Sequence, residues 1–160
     1  MLSEKNIKLL PQKCGTYSLI ILVTNPINVL VGALGICRFN RGFYSYTGSA
    51  LGPTQNLSIR VARHLRKTKK IRWHIDYLLE YSKITSLIYC ISSKRRECLI
   101  TKELGEETFS KVVVKGFGSS DCVQGCAAHL YYHPKTSLNG LIQVLFNIYR
   151  RNGCDPLILG

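Results

Sequence analysis

Gly15-Thr16-Tyr17-Ser18-Leu19-Ile20-Ile21-Leu22-Val23-Thr24-Asn25-Pro26 decides how the rest of the chain is read. Thr16 to Thr24 is dense in β-branched and aromatic residues without helical spacing, and Asn25-Pro26 supplies a turn. The apolar stretch Ser18 to Cys37 is long enough to suggest a membrane span, but Asn25, Pro26 and Asn28 interrupt it early. A buried hairpin is the better reading, with a second strand at Val29 to Val31. After Gly32 and Gly35, Ile36 to Phe39 is again extended. Asn40-Arg41-Gly42 turns it and Phe43 to Gly48 returns, so the first 48 residues read as local antiparallel sheet.

Beyond Gly52-Pro53, Asn56 or Ser58 can cap a helix whose Leu57, Val61 and Leu65 share one stripe, while Arg60, Arg63, His64 and Lys67 share another face. Arg66 to Arg72 reads as an exposed basic linker. A short helix is expected over Trp73 to Tyr81, a strand over Ile84 to Ser92, and a helix from a Ser92 or Ser93 cap to Leu104, stopped by Gly105. Lys111 to Lys115 reads as a short strand, Gly116 to Asp121 as a loop, Leu130 to His133 as a strand and Thr136 to Arg151 as a closing helix. The fold class is therefore α/β, a small antiparallel sheet flanked by helices. All 160 residues are read as a single domain, with a motif core at 15–104 and a C-terminal extension at 105–160.

The chain carries 22 Lys plus Arg against nine Asp plus Glu, a net charge of +13, which costs self-repulsion unless a polyanion sits beside it. Nucleic acid is the expected partner and a membrane is not. Met1 to Gln12 places Glu4, Lys5 and Lys8 ahead of any apolar run and does not read as a signal peptide. With seven cysteines, an odd number, and a chain long enough to fold without staples, the expected compartment is a reducing cytoplasm. Phosphate-binding glycine loops, a Gly-x-Ser-x-Gly elbow and a His-Glu-x-x-His pair are all missing, which removes the usual signals for nucleotide binding, serine hydrolysis and zinc proteolysis.

What remains suits phosphodiester cleavage: a carboxylate for a divalent cation, tyrosines to handle a proton and arginine to meet charge on phosphate. Gly15-Thr16-Tyr17 and Tyr46-Thr47-Gly48 lie on strands. Arg60 and His64 sit four apart on the next helix, and Glu97 opens a later one. This order resembles the GIY-YIG nuclease superfamily, with Thr replacing the middle Ile of each name-giving triplet. The segment between the two tyrosines exceeds that family's compact hairpin, and the surplus is assigned to an extra hairpin around Gly32 to Asn40. The C-terminal strand and helix form a further extension.

A closer likeness is to a less characterised archaeal branch that also occurs fused to DNA-repair glycosylases. It rests on Tyr46 to Gly52, Arg63-His64-Leu65-Arg66, Trp73 to Leu79, Glu97-Cys98 and Gly116 to Cys122. The wider spacing of Cys122 and Cys126 departs from that branch. The resemblance implies a metal-dependent nuclease acting on DNA ahead of RNA. Glu97 would be the ligand of Mg²⁺ or Mn²⁺, Tyr17 the proton acceptor or water-positioning group and Arg60 the phosphate clamp, assisted by Tyr46 and His64. Arg63, Lys67, Lys69, Lys70 and Arg72 are the candidate backbone-binding residues. The alternative is a non-catalytic nucleic-acid-binding module docked to a repair enzyme.

Each residue also has a plainer reading. Either tyrosine can be a strand aromatic, Glu97 can complement a helix dipole, Arg60 and Arg63 can be solvated, His64 can be a surface residue on the same face, and Trp73 and Tyr77 read as core anchors. His74 and Asp76 could reach the site from its opposite flank. Cys122-x₃-Cys126-x₂-His129-x₃-His133 has zinc-compatible residue types at loose spacing. A Cys122–Cys126 disulfide or two unbonded thiols stand beside zinc there, and the apolar content is expected to build the core without metal.

Overall fold

A computed structural model describes Leu2 and residues 4–160, with only the backbone of Glu4; of the N-terminal stretch read as lacking a signal, Met1 and Ser3 lie outside the described residues. The elements are α1 (Glu4–Ile7), β1 (Gly15–Val23), β2 (Ile27–Leu30), β3 (Ile36–Phe39), β4 (Gly42–Ala50), α2 (Leu57–Leu65) and α3 (His74–Leu79), then β5 (Lys83–Ile91), α4 (Glu97–Glu106), β6 (Leu130–His133), α5 (Leu138–Arg151) and β7 (Leu157–Leu159). Five strands form one sheet in the order β6-β4-β1-β5-β7, every pairing antiparallel, while β2 and β3 make a separate hairpin. Among the described residues, no helix is long and apolar enough to cross a membrane.

The apolar run Leu19 to Val23 is explained by position. β1 is the central strand, buried on both faces, so its side chains need not alternate in polarity. Tyr17, Leu19, Ile21 and Val23 enter a core shared with α2, α3 and the β2–β3 hairpin, whereas Ile20 points to a second core under α4 and α5. On that second face Ser18 hydrogen-bonds Thr47 at 2.8 Å and Tyr149 at 2.9 Å, which satisfies its buried hydroxyl.

Several local expectations fail for tertiary reasons. The hairpin expected within Ser18 to Cys37 does not form as read: β1 pairs with β4 and β5, and β2 pairs with β3. The serine at 92 closes a local turn onto Lys94 instead of capping a helix, and α4 begins five residues later at Glu97. Gly105 does not stop that helix but lies inside it. A Cβ there would come within 2.6 Å of the Tyr131 hydroxyl, so the glycine serves close packing of α4 on β6. Of Lys111 to Lys115 only Lys111 pairs, by a single bridge to Tyr132. Cys90 on β5 and Cys154 after α5 form a disulfide, a pairing the sequence did not point to and one at odds with the expected reducing compartment.

α2 follows the expected stripe, with Leu57 and Val61 buried and the Asn56 side chain accepting from the Ile59 amide. His64 departs from its expected place among solvated residues: it is 3% exposed and turned toward the sheet.

Candidate active site

A polar cleft of about 480 Å³ opens at the edge where β1, β4, α2 and the N-terminus of α4 meet the 116–129 segment. Tyr17, Tyr46, Arg60, Trp73, Glu97 and His129 are among the side chains lining it. Register brings the two tyrosines together. Tyr17 lies opposite Gly48 and Leu19 opposite Tyr46, so the two rings are diagonal neighbours on one face. Gly48 is needed because a Cβ at that position would meet the Tyr17 hydroxyl at 2.7 Å.

The Tyr17 hydroxyl hydrogen-bonds His64 Nε2 at 2.8 Å. Burial, reinforced by Tyr46 and only partly opposed by Arg60, holds the Tyr17 pKa well above 10.0, and burial with the nearby Glu97 charge raises that of Tyr46 as well. Both are neutral hydroxyls near neutral pH. Burial first, and the positive charge of Lys69 next, lower the His64 pKa to about 3, so its imidazole is also neutral.

Arg60 reaches the cleft with its guanidinium 4.6 Å from the Trp73 ring centroid, and its buried Nε has no hydrogen-bond partner. Among the described residues it makes no ion pair. An arginine prepared in this way retains donors for an incoming anion. Glu97, in the first turn of α4, is 8% exposed; its Oε1 accepts from Arg95 Nη1 at 3.1 Å, and the Arg95 side chain is largely in solvent. Glu97, with Asp121 elsewhere on the lining, offers the hard oxygen donors that Mg²⁺ or Mn²⁺ prefers.

The remaining candidates divide. Arg63 is not available for phosphate: its two terminal nitrogens each bond an oxygen of Asp76 at 2.8 Å, one also bonds the Lys70 carbonyl, and its guanidinium stacks 3.9 Å from Trp73. Lys69 was expected in an exposed linker but donates to the His64 carbonyl at 2.7 Å and lies 3.8 Å from Asp76. Lys67, Lys70 and Arg72 are exposed, and Arg72 lines the cleft. His74 also lines it, with Nδ1 accepting from the Gly118 amide at 3.0 Å, and burial lowers its pKa. Asp76 does not reach the cleft. Although burial alone would raise its pKa, the Arg63 hydrogen bonds and the Arg72 and Trp73 amides hold it below 3.8.

Trp73 packs against the core from a partly buried position, as expected of an anchor, and also forms part of the cleft wall, with the Arg60 and Arg63 guanidinium groups 4.6 and 3.9 Å from its ring centroid. Arg95 was not singled out in the sequence; the run Lys94-Arg95-Arg96 before Glu97 was the available signal. His133 is remote from the cysteines it was grouped with: its Nε2 bonds Ser45 at 2.8 Å and its Nδ1 bonds Ser110 at 3.1 Å.

A family model, "Domain of unknown function DUF123", matches residues 16–150, nearly the whole chain. The chain belongs to the DUF123 family. That match takes in both tyrosines, α2, Glu97 and the 116–129 segment. Comparisons with curated proteins and with solved structures give no match.

Proposed function

We propose that this DUF123 chain is a divalent-metal-dependent endonuclease of the GIY-YIG type that hydrolyses phosphodiester bonds in DNA, including branched repair intermediates. The observation that carries the reading is Arg60. Among the described residues it is an arginine without an acidic partner, seated on Trp73 and lining one cleft with Glu97, Tyr17 and Tyr46, in a chain of net charge +13. The sequence resemblance supports the same roles.

Arg60 donates to the non-bridging oxygens of the scissile phosphate and stabilises the charge that builds on them. Glu97 holds the cation, which when bound supplies Lewis acidity at the phosphate. Tyr17 acts as a neutral hydroxyl 2.8 Å from His64 Nε2; in the tautomer whose Nε2 accepts the Tyr17 proton, the Oη lone pairs accept from the attacking water and orient it. This choice follows from burial, which disfavours a tyrosinate. Tyr46 walls the cleft beside it, and Arg72 with Lys70 and Lys67 extends the positive surface for the backbone.

Labelled single-stranded, duplex and branched DNA, with RNA counterparts, would be incubated with the protein in Mg²⁺, Mn²⁺ or EDTA. The expected result is cleavage that requires the cation and falls about 100-fold or more in Glu97→Gln, with binding changed less than about twofold. Equal rates in the mutant would remove Glu97 from the chemistry. Binding by wild type without cleavage of any substrate would leave a non-catalytic nucleic-acid-binding module.

A further inference from the structure

Cys98 on the first turn of α4, Cys122 and Cys126 in the 116–129 segment, and His129 just before β6 converge so that one ligand atom from each lies within 4.8 Å of all the others. Cys98 Sγ is 3.6 Å from Cys122 Sγ and 3.9 Å from His129 Nε2. A tetrahedral zinc with bonds of about 2.3 Å to sulfur and 2.0–2.1 Å to nitrogen separates neighbouring ligands by roughly 3.5–3.8 Å. A disulfide would need the sulfurs at about 2.05 Å. The two Cys98 separations are close to those values, and the remaining pairs stay within 4.8 Å, so a small closing movement would bring all four ligands around one centre.

We propose that Cys98, Cys122, Cys126 and His129 form a structural zinc site that fastens the 116–129 segment to the N-terminus of α4. Three soft thiolates with one imidazole select zinc over the hard cations suited to Glu97. Four protein ligands leave no open position for water, so the site holds structure and performs no chemistry of its own. Binding converts three thiols to thiolates and releases three protons, leaving a net charge of −1 on the centre. Lys102 and Arg95, whose charges act on Cys126 and His129, offset it within a strongly basic chain.

The backbone is already arranged for this. The His129 amide donates to the Phe117 carbonyl at 2.8 Å and its carbonyl accepts from the Thr47 amide at 3.0 Å, which anchors one ligand on the frame of the sheet. The turns carrying Cys122 and Cys126 have mostly exposed residues, with Val123 93% exposed, and so little apolar burial to order them. Cys122 and Asp121 line the candidate active site, and Cys98 follows Glu97 directly. The metal therefore sets the position of one wall of the cleft.

The inference is independent of nuclease activity, and its test reads metal directly. The full chain would be produced in zinc-supplemented medium, washed with chelator at neutral pH and submitted to elemental analysis. A second sample, stripped under reducing conditions, would be titrated with Co²⁺ and followed by absorption. Expected are one equivalent of zinc per chain, and intense thiolate-to-cobalt charge transfer with tetrahedral d–d bands. Cys126→Ser should lose both, His129→Cys should retain both, and His133→Gln should match wild type. The metal-stripped sample should have its 116–129 segment opened to limited proteolysis. Zinc well below one equivalent with six-coordinate cobalt spectra in wild type, a Cys98–Cys122 or Cys122–Cys126 disulfide found by mass spectrometry, or full binding by Cys126→Ser would each overturn the proposal.

Discussion

Two carboxylates, Asp76 on α3 and Glu97 on α4, show opposite uses of the same chemical group. Asp76 is fully buried and accepts from both terminal nitrogens of Arg63 and from the Arg72 and Trp73 amides, with Lys69 close by. Its acceptor capacity is used up in closing α2 onto α3. Glu97 lines an open cleft and its ion-pair partner, Arg95, is mostly in water. The arginines repeat the contrast, since Arg63 is committed to Asp76 while Arg60 on the same helix is not. A charged group is available for chemistry when its partners leave part of its bonding capacity open.

The contrast is broken most forcefully at Asp76. Asp76→Ala leaves Arg63 and Lys69 around an uncompensated gap and should cost about 3–5 kcal/mol in urea unfolding. Glu97→Gln should cost under about 1 kcal/mol, because an ion pair to a solvent-exposed arginine contributes little. A reversal of that order would mean that Glu97 is the structural carboxylate.

Next in size is an acid sensitivity centred on histidine. His64 and His133 both have folded pKa values lowered to about 3, chiefly by burial, from 6.5. The unfolded chain therefore takes up these protons first as the pH falls. Their contribution is intact above about pH 6.5 and declines toward pH 3 by on the order of 1 kcal/mol per pH unit per histidine. Asp76, its pKa held below 3.8, adds a separate loss only in more acidic solution. Burial lowers the pKa of His74 and His129 as well, so chemical denaturation at pH 7, 6 and 5 should show this slope, and His64→Asn should remove only one histidine's share of it. A flat profile between pH 7 and 5 would mean that the two imidazoles are hydrated.

The smallest expected effect distinguishes neighbouring lysines. Replacing Lys67, Lys70 and Arg72 by Ala should shallow the salt dependence of nucleic-acid affinity by about 0.9 per lost phosphate contact. Lys69→Ala should leave that slope unchanged and lower stability, because Lys69 is held by Asp76 and the His64 carbonyl. An equal change in slope from Lys69→Ala would erase the distinction between committed and open charges on this segment.

Much of the sheet was readable from local pattern: β1 and β3 fall within a residue or so of their expected bounds, and Asn56 caps α2 as its side chain allows. What was missed depends on contacts distant in sequence. Neither β7 nor the start of α4 carries a strong local signal; β7 is fixed by pairing with β5, and α4 packs on α5 and the sheet. Within the candidate site, the tyrosines, Arg60 and Glu97 do converge. The solvated reading of Arg63 and Lys69 failed because their acceptor, Asp76, lies on the following helix. Likewise Cys98 could not be grouped with Cys122 from spacing alone, as 24 residues separate them.

The Cys90–Cys154 bond ties together positions 64 apart in sequence and encloses α4, the cysteine-bearing turns, β6 and α5 in a covalent ring. A nick anywhere on that ring, including one in the exposed turns beside Asp121, cuts the backbone without releasing a fragment. The severed ends remain one molecule, migrating as an intact chain until a reductant opens the second connection.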